Sequence, residues 1–347
     1  MKIGIFSPYL PILGGGERYI LSIALCFTQK HEVDIFWDDT GILKKAKEKF
    51  GLNLNKIKVK PIPRGKLTKF AILKKYEIIF YMTDGSLFFS PAKKNILIIQ
   101  SPAHIPPLTS FISRLKLKNW QTIICYSKFM AKIIEERLKR EARVLFVPVD
   151  LGYFKPTQKE NIILSVGRFF PHLHSKKQDV LVEIFKKIKN RLPGWKLYLV
   201  GSVDKGGEDY LNRINKMAEG EPIEILTNVS FTQLVNLYGR AKLFCHAAGF
   251  DEDLKVHPER AEHFGVVTIE AMAAGVVPVV FAGGGQPEIV DHGKTGFLWQ
   301  TKEELVRFTL KLAEDDNLRE SLSKEAQKRV RDFSSEKFCH YLYEIIK

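Results

Sequence analysis

Short apolar runs rich in β-branched residues alternate with longer amphipathic segments along this chain. Runs at 2–6, 32–37, 56–59, 78–82, 95–100, 122–126 and 143–147 predict strands, with helices between them, most clearly over 17–28 and 128–139. A second series follows at 161–166, 196–200, 223–227, 243–246, 276–281 and 297–299. Strands alternating with helices predict parallel sheets covered by helices on both faces. In such sheets ligands sit beyond the C-terminal strand ends. The stretch 147–156 breaks the rhythm with Pro148, Gly152 and Pro156, and predicts a linker between two α/β domains.

The stretch 261–280 organises the second series. Glu262-His263-Phe264-Gly265 has no helical period and predicts a loop, while 267–274 is rich in good helix formers. Gly275 stands where a helix-ending glycine would stand, and 276–281 follows as a buried strand. Glu270 is expected in the helix's first turn, near unpaired N–H groups that can also hold a phosphate. A carboxylate there can accept two hydrogen bonds from a ribose diol.

This stretch resembles the family-four glycosyltransferases of the GT-B fold. Their signature is two glutamates separated by seven residues, the second followed by small residues, a glycine and a proline-containing strand. Glu262, Phe264-Gly265, Glu270, 271–275 and Pro278 match it. The resemblance implies two Rossmann-like parallel α/β domains facing each other across a cleft. They would be 1–155 on the acceptor side and 156–334 on the nucleotide-sugar side, with 335–347 crossing back as a helix. It also implies a retaining, metal-independent hexosyltransferase with no cofactor, its donor a nucleotide sugar and its acceptor a glycan or a lipid-linked glycan. The Glu-His-Phe-Gly loop is similar to that of mannosyltransferases, which points to mannose as the sugar.

Residue roles follow from the same resemblance. Gly14-Gly15-Gly16-Glu17 joins the first strand to the first helix, and Gly15 and Gly16 would face the donor. Arg168, just after a strand, and Lys176, three residues before Asp179, would grip the diphosphate, with Lys177 a near substitute. Gly265 and Val266 would bind phosphate or sugar through their backbone, beside Phe264. Glu262 would face the sugar hydroxyls and Glu270 the ribose. His104 is the candidate near the transferred sugar, although Gln100 lies closer to the strand end. His172 and His174, in the long loop after Arg168, have no assigned role. The glycine turn 283–288 is either a second approach to the donor sugar or a plain strand-to-helix turn.

Composition narrows the alternatives. Of 347 residues, 54 are Lys or Arg and 39 Asp or Glu, a net charge of +15. Residues 1–155 carry 27 basic against 12 acidic side chains, whereas 156–347 balance at 27 each. The N-terminal half is therefore expected to meet an anionic partner. The segment 108–120 places Leu108, Phe111, Ile112 and Leu115 on one stripe beside Arg114, Lys116 and Lys118, with Trp120 at its edge. Such a helix suits either an anionic membrane surface or packing against the core with its lysines solvated, and the charge split between the halves favours the membrane for the domain as a whole. A nucleic-acid partner is not expected, because the charge is diluted and no recognised motif accompanies it. Another GT-B activity, such as a sugar-nucleotide epimerase, is the alternative within the enzymes.

Asp251-Glu252-Asp253 is formally a D-x-D, but it lies in a charged loop and predicts solvated acids rather than a metal site. No apolar segment suits a leader or a membrane span. The four scattered cysteines are expected to be reduced core residues of a cytoplasmic protein, peripheral on the inner face of the membrane.

Overall fold

The computed structural model describes residues 1–171, 175–203 and 205–347. The first series of runs forms β1 (Lys2–Phe6), β2 (Glu32–Phe36), β3 (Ile57–Lys60), β4 (Ile78–Met82), β5 (Lys94–Ile98), β6 (Thr122–Cys125) and β7 (Arg143–Val144). They pair in parallel in the order β3-β2-β1-β4-β5-β6-β7. The second series forms β8 (Glu160–Val166), β9 (Lys196–Gly201), β10 (Ile223–Thr227), β11 (Ala241–His246), β12 (Val277–Phe281) and β13 (Phe297–Trp299). These are also parallel, in the order β10-β9-β8-β11-β12-β13. Every residue of β4 and the last four of β1 are buried. A run apolar on both faces forms a strand because helices cover both sides of the sheet.

The chain folds as two compact units, Met1–Pro148 with Ser335–Lys347, and Val149–Ser334. Pro148 lies within the stretch read as a linker. In the second unit Val149 pairs with Ser334, and its N–H donates to Phe333 O at 2.9 Å.

The Ser335–Ile346 helix belongs to the first unit. Tyr343 donates to Cys26 O at 3.1 Å, and Lys94 donates to Ile346 O at 2.6 Å. On this helix Cys339 is joined to Cys26 by a disulfide spanning 313 residues of sequence. The expectation of four reduced cysteines is therefore corrected: Cys125 and Cys245, both buried, are the two outside the disulfide. Spacing could not reveal a pair that exists only because the last helix packs on the first, with Cα atoms 5.3 Å apart. The disulfide also removes the cysteine argument for a reducing compartment.

Trp120 is corrected too. It is buried, its indole N–H donating to Phe88 O at 3.0 Å, and so does not stand at the edge of an exposed stripe. Among the described residues no helix is long and apolar enough to cross a membrane.

Candidate functional site

The loop 262–265 and the Val266–Ala273 helix are set by glycine geometry. Gly265, at φ +114°, caps the helix in a conformation that side-chain-bearing residues rarely adopt. Behind it the turn 283–285 lies against the backbone of the same loop. Gly285 N–H donates to Glu262 O at 2.8 Å. A Cβ on Gly284 would stand 2.0 Å from Glu262 O, and one on Gly285 would stand 2.7 Å from His263 O. The glycine turn is thus a brace for the Glu262 loop. Phe264 anchors that loop from the other side, its ring buried 5.8 Å from the Phe333 ring. At the helix's far end, Gly275 N–H donates to Met272 O and Val276 N–H to Ala271 O, a complete Schellman ending.

Glu262 is the centre of a charged cluster in which His246 is buried and the Glu262 and Lys176 side chains are half-buried. The Lys176 ammonium donates to its Oε2 at 2.5 Å, and His246 Nε2, at the end of β11, lies 3.2 Å from the same oxygen. Burial alone would raise the Glu262 carboxyl pKa. The Lys176 charge and the adjacent His246 ring more than offset that and hold it well below its ordinary value. Burial pushes the His246 imidazole below its own ordinary value, and attraction to Glu262 does not overcome this. Ala248 N–H donates to His246 Nδ1 at 3.4 Å, so the neutral ring carries its proton on Nε2, the nitrogen 3.2 Å from Glu262. Lys176 reaches this place because its stem crosses Gly167, where a Cβ would stand 2.5 Å from Lys176 Cγ.

Glu270 is also buried, and Tyr238 donates to its Oε2 at 3.1 Å. Its expected place in the first helical turn is corrected. Capping by Gly265 starts the helix at Val266, so Glu270 begins the second turn. The helix dipole acts mainly within the first turn, so helix stabilisation does not account for a carboxylate here.

Arg168 is exposed, in the loop after β8. Gln178 holds that loop, donating to Gly167 O at 3.2 Å and Arg168 O at 3.1 Å. Lys177 turns elsewhere and donates to Glu252 at 2.6 Å, while Arg260 donates to the other Glu252 oxygen at 2.7 Å. The middle residue of the D-x-D sequence is thereby tied into ion pairs. Among the described residues no group of three or more His, Cys, Asp or Glu side chains could hold a metal ion. His172 and His174 lie outside the described residues.

In the first unit the glycine loop is built for close approach. Glu17 accepts from Gly14 N–H at 2.7 Å, and a Cβ on Gly16 would stand 2.2 Å from Gln100 Oε1, whereas Gly15 borders open space. Gln100 is thus the residue at the glycine loop, and Tyr126 donates to it at 3.2 Å. His104 stacks on Tyr9, the ring centroids 5.0 Å apart, with its Nε2 3.1 Å from the Tyr9 hydroxyl. Burial lowers the His104 pKa, against the pull of Asp84.

His246 and Tyr238 are additions to the residues read from sequence, and the glycine turn, read there as an approach to the donor or a plain turn, gains its bracing contact with the Glu262 loop. A histidine closing the apolar run of β11 was the one visible signal for His246. Tyr238 sits on a separate helix, Phe231–Arg240, and offered none.

The family model described as glycosyl transferases group 1 matches residues 154–329. The chain is 28% identical to the GDP-Man:Man(3)GlcNAc(2)-PP-Dol alpha-1,2-mannosyltransferase of Dictyostelium discoideum over 222 residues, 59% of this chain and 42% of that protein. It is 31% identical to the trehalose synthase of Pyrococcus horikoshii over 189 residues, 52% of this chain and 42% of that protein. The chain spans less than half the length of these two curated relatives. Among solved structures, HepE of Anabaena in complex with UDP is similar at a TM-score of 0.76 and 18% identity, covering 99% of both chains. A glycosyltransferase of Rickettsia africae is similar at 0.77 and 18% identity, covering 99% of this chain and 97% of that one.

Proposed function

This chain belongs to the glycosyl transferases of group 1 and has the GT-B fold, and on that footing we propose that it transfers a hexose from a nucleotide sugar with retention of configuration. The observation that carries this reading is the Lys176–Glu262–His246 cluster beside the helix that bears Glu270. Glu270 holds the ribose diol, and Tyr238 orients its carboxylate. Arg168 and Lys176 take the diphosphate, with the Gly265–Val266 backbone supplying N–H groups at the helix start. Glu262 accepts hydrogen bonds from the sugar hydroxyls and is kept ionised by its two neighbours. As the glycosidic bond to the donor breaks, negative charge grows on the leaving diphosphate, where the two cations stabilise it. Attack from the same face, assisted by that phosphate, gives retention. His104, in the first unit, serves the acceptor side.

Mannose is the proposed sugar. The Glu-His-Phe-Gly loop and the Dictyostelium relative, a GDP-Man-dependent mannosyltransferase by name, both support it. That relative's named acceptor carries its glycan on PP-Dol, which supports a lipid-linked glycan as acceptor here.

A thermal-shift panel of nucleotide sugars, with GDP and UDP alone, tests the reading. A ligand at about 100 times its Kd stabilises by roughly 2.7 kcal/mol, which moves the Tm by a few degrees at this size. A melt unmoved by every nucleotide would overturn it. The anomer of the transferred sugar, read by NMR, tests retention separately.

A further inference from the structure

Two helices of the first unit leave large apolar side chains in water. On the Lys66–Leu73 helix only Leu73 is buried, while Leu67 is 88% and Phe70 54% exposed. On the Phe111–Asn119 helix only Leu117 is buried, while Phe111 is 75% and Ile112 59% exposed. The helices share one footing. Leu73, Leu117 and Trp120 belong to one core, and the Trp120 and Phe88 rings lie 5.1 Å apart. The Lys69 ammonium sits 3.4 Å above the Phe88 ring, and the charge of Lys116 reaches it. Phe89, next to Phe88, is also exposed.

The charge around this apolar surface has one sign. Residues 49–76 contain nine Lys or Arg and no Asp or Glu, and residues 85–134 contain seven and none. Arg64 and Lys66 adjoin the first helix's start, and Arg114, Lys116 and Lys118 lie on the second. We infer that these two helices form a docking surface for an anionic phospholipid bilayer, with Leu67, Phe70, Phe111 and Ile112 entering the headgroup layer and the basic side chains meeting lipid phosphates. Apolar residues interleaved with lysine and arginine on exposed helices suit an interface that is apolar below and anionic above. A second copy of the chain fits poorly, because a two-fold contact would bring the same basic residues face to face.

Co-sedimentation of the whole chain with vesicles tests this, using phosphatidylcholine alone and phosphatidylcholine mixed with phosphatidylglycerol, at low and moderate salt. Neither donor nor acceptor is present, so the result is independent of the proposed transfer reaction. The wild type should bind the anionic vesicles selectively, and less at higher salt. The Phe111→Ser/Ile112→Ser and Leu67→Ser/Phe70→Ser variants should each lose about tenfold or more in partitioning. Lys66→Glu, Lys116→Glu and Lys118→Glu should each lose roughly fivefold or more. All these residues except Lys116 are well exposed, so the variants should keep the wild-type melt and any nucleotide-induced shift. Equal recovery on both vesicles, no binding, or full binding by the variants would overturn the inference. So would a wild-type dimer that the serine variants dissociate.

Discussion

Lys176 and Glu262 share a hydrogen bond of 2.5 Å across 86 residues of sequence. The proposed diphosphate ligand is therefore already neutralised by the proposed sugar ligand, and a bound diphosphate must compete for it. Glu262→Gln removes the competing charge. Affinity for a nucleoside diphosphate lacking a sugar should rise at least about fivefold, roughly 1 kcal/mol, while turnover of the nucleotide sugar falls. Calorimetric titration and steady-state kinetics read the two effects. Weaker diphosphate binding in this variant would break the link between Lys176 and the phosphates.

Lys176→Ala should lower kcat by roughly 10²–10³-fold, because the stabilised charge grows in the transition state. Lys177→Ala is the control. Its ammonium is committed to Glu252, so kcat at saturating donor should change little. Equal losses in the two variants would show that neither lysine acts specifically.

Glu270→Ala should weaken donor binding by about 1.5–3 kcal/mol, the range for hydrogen bonds to a charged group. Tyr238→Phe removes one donor to Glu270 and should weaken binding less, by about 1 kcal/mol, with kcat preserved at saturating donor. A kcat loss in Tyr238→Phe larger than its affinity loss would contradict a positioning role.

Much of the architecture was legible in the sequence because the parallel strands are buried on both faces. The ends of β1, β4, β10 and β13 coincide with the runs at 2–6, 78–82, 223–227 and 297–299. Features made by contacts between distant segments were not legible. The positive φ of Gly265 moved the helix start and took Glu270 out of the first turn. The Cys26–Cys339 pair depends on how the last helix packs, and Trp120 turned inward because Phe88 O accepts its indole N–H. His246 drew no reading from the sequence, because Lys176 and Glu262 meet it only in the folded chain.

The Lys176–Glu262–His246 cluster sets a pH dependence. His246 has its folded pKa lowered from 6.5, so the neutral ring's contribution is complete above that value and lost as pH falls through the folded pKa. Glu262 has its folded pKa lowered from 4.5, so its contribution is lost below 4.5 in the same sense. Both effects reduce stability on acidification, each by at most about 1.4 kcal/mol per pH unit. The Tm should decline in two stages, and Glu262→Gln should flatten the more acidic one. A stability maximum below pH 5 would contradict the sign.

The disulfide fastens the last helix to the first unit. In the denatured, non-reduced protein, thiol titration should find two reactive groups among the four cysteines. Cys339→Ser should lower stability by about 2–4 kcal/mol, the usual contribution of a native bridge. Four titratable thiols after purification without reductant would rule the bridge out.

Gly284 and Gly293 separate backbone strain from support of the site. Both have positive φ, 63° and 74°, so alanine at either carries a similar conformational cost. At Gly293 nothing lies within 4 Å of the added Cβ, whereas at Gly284 it would stand 2.0 Å from Glu262 O. Only Gly284→Ala must push the Glu262 loop away from its brace. Gly293→Ala should cost about 1 kcal/mol of stability and leave donor affinity unchanged. Gly284→Ala should cost more and reduce both donor affinity and kcat, since a displacement of about 1 Å in a positioning group can cost about 10²-fold in rate. Melting curves and kinetics on the two variants decide the matter. Equal kinetic behaviour would show that the glycine turn does not hold the Glu262 loop in its working position.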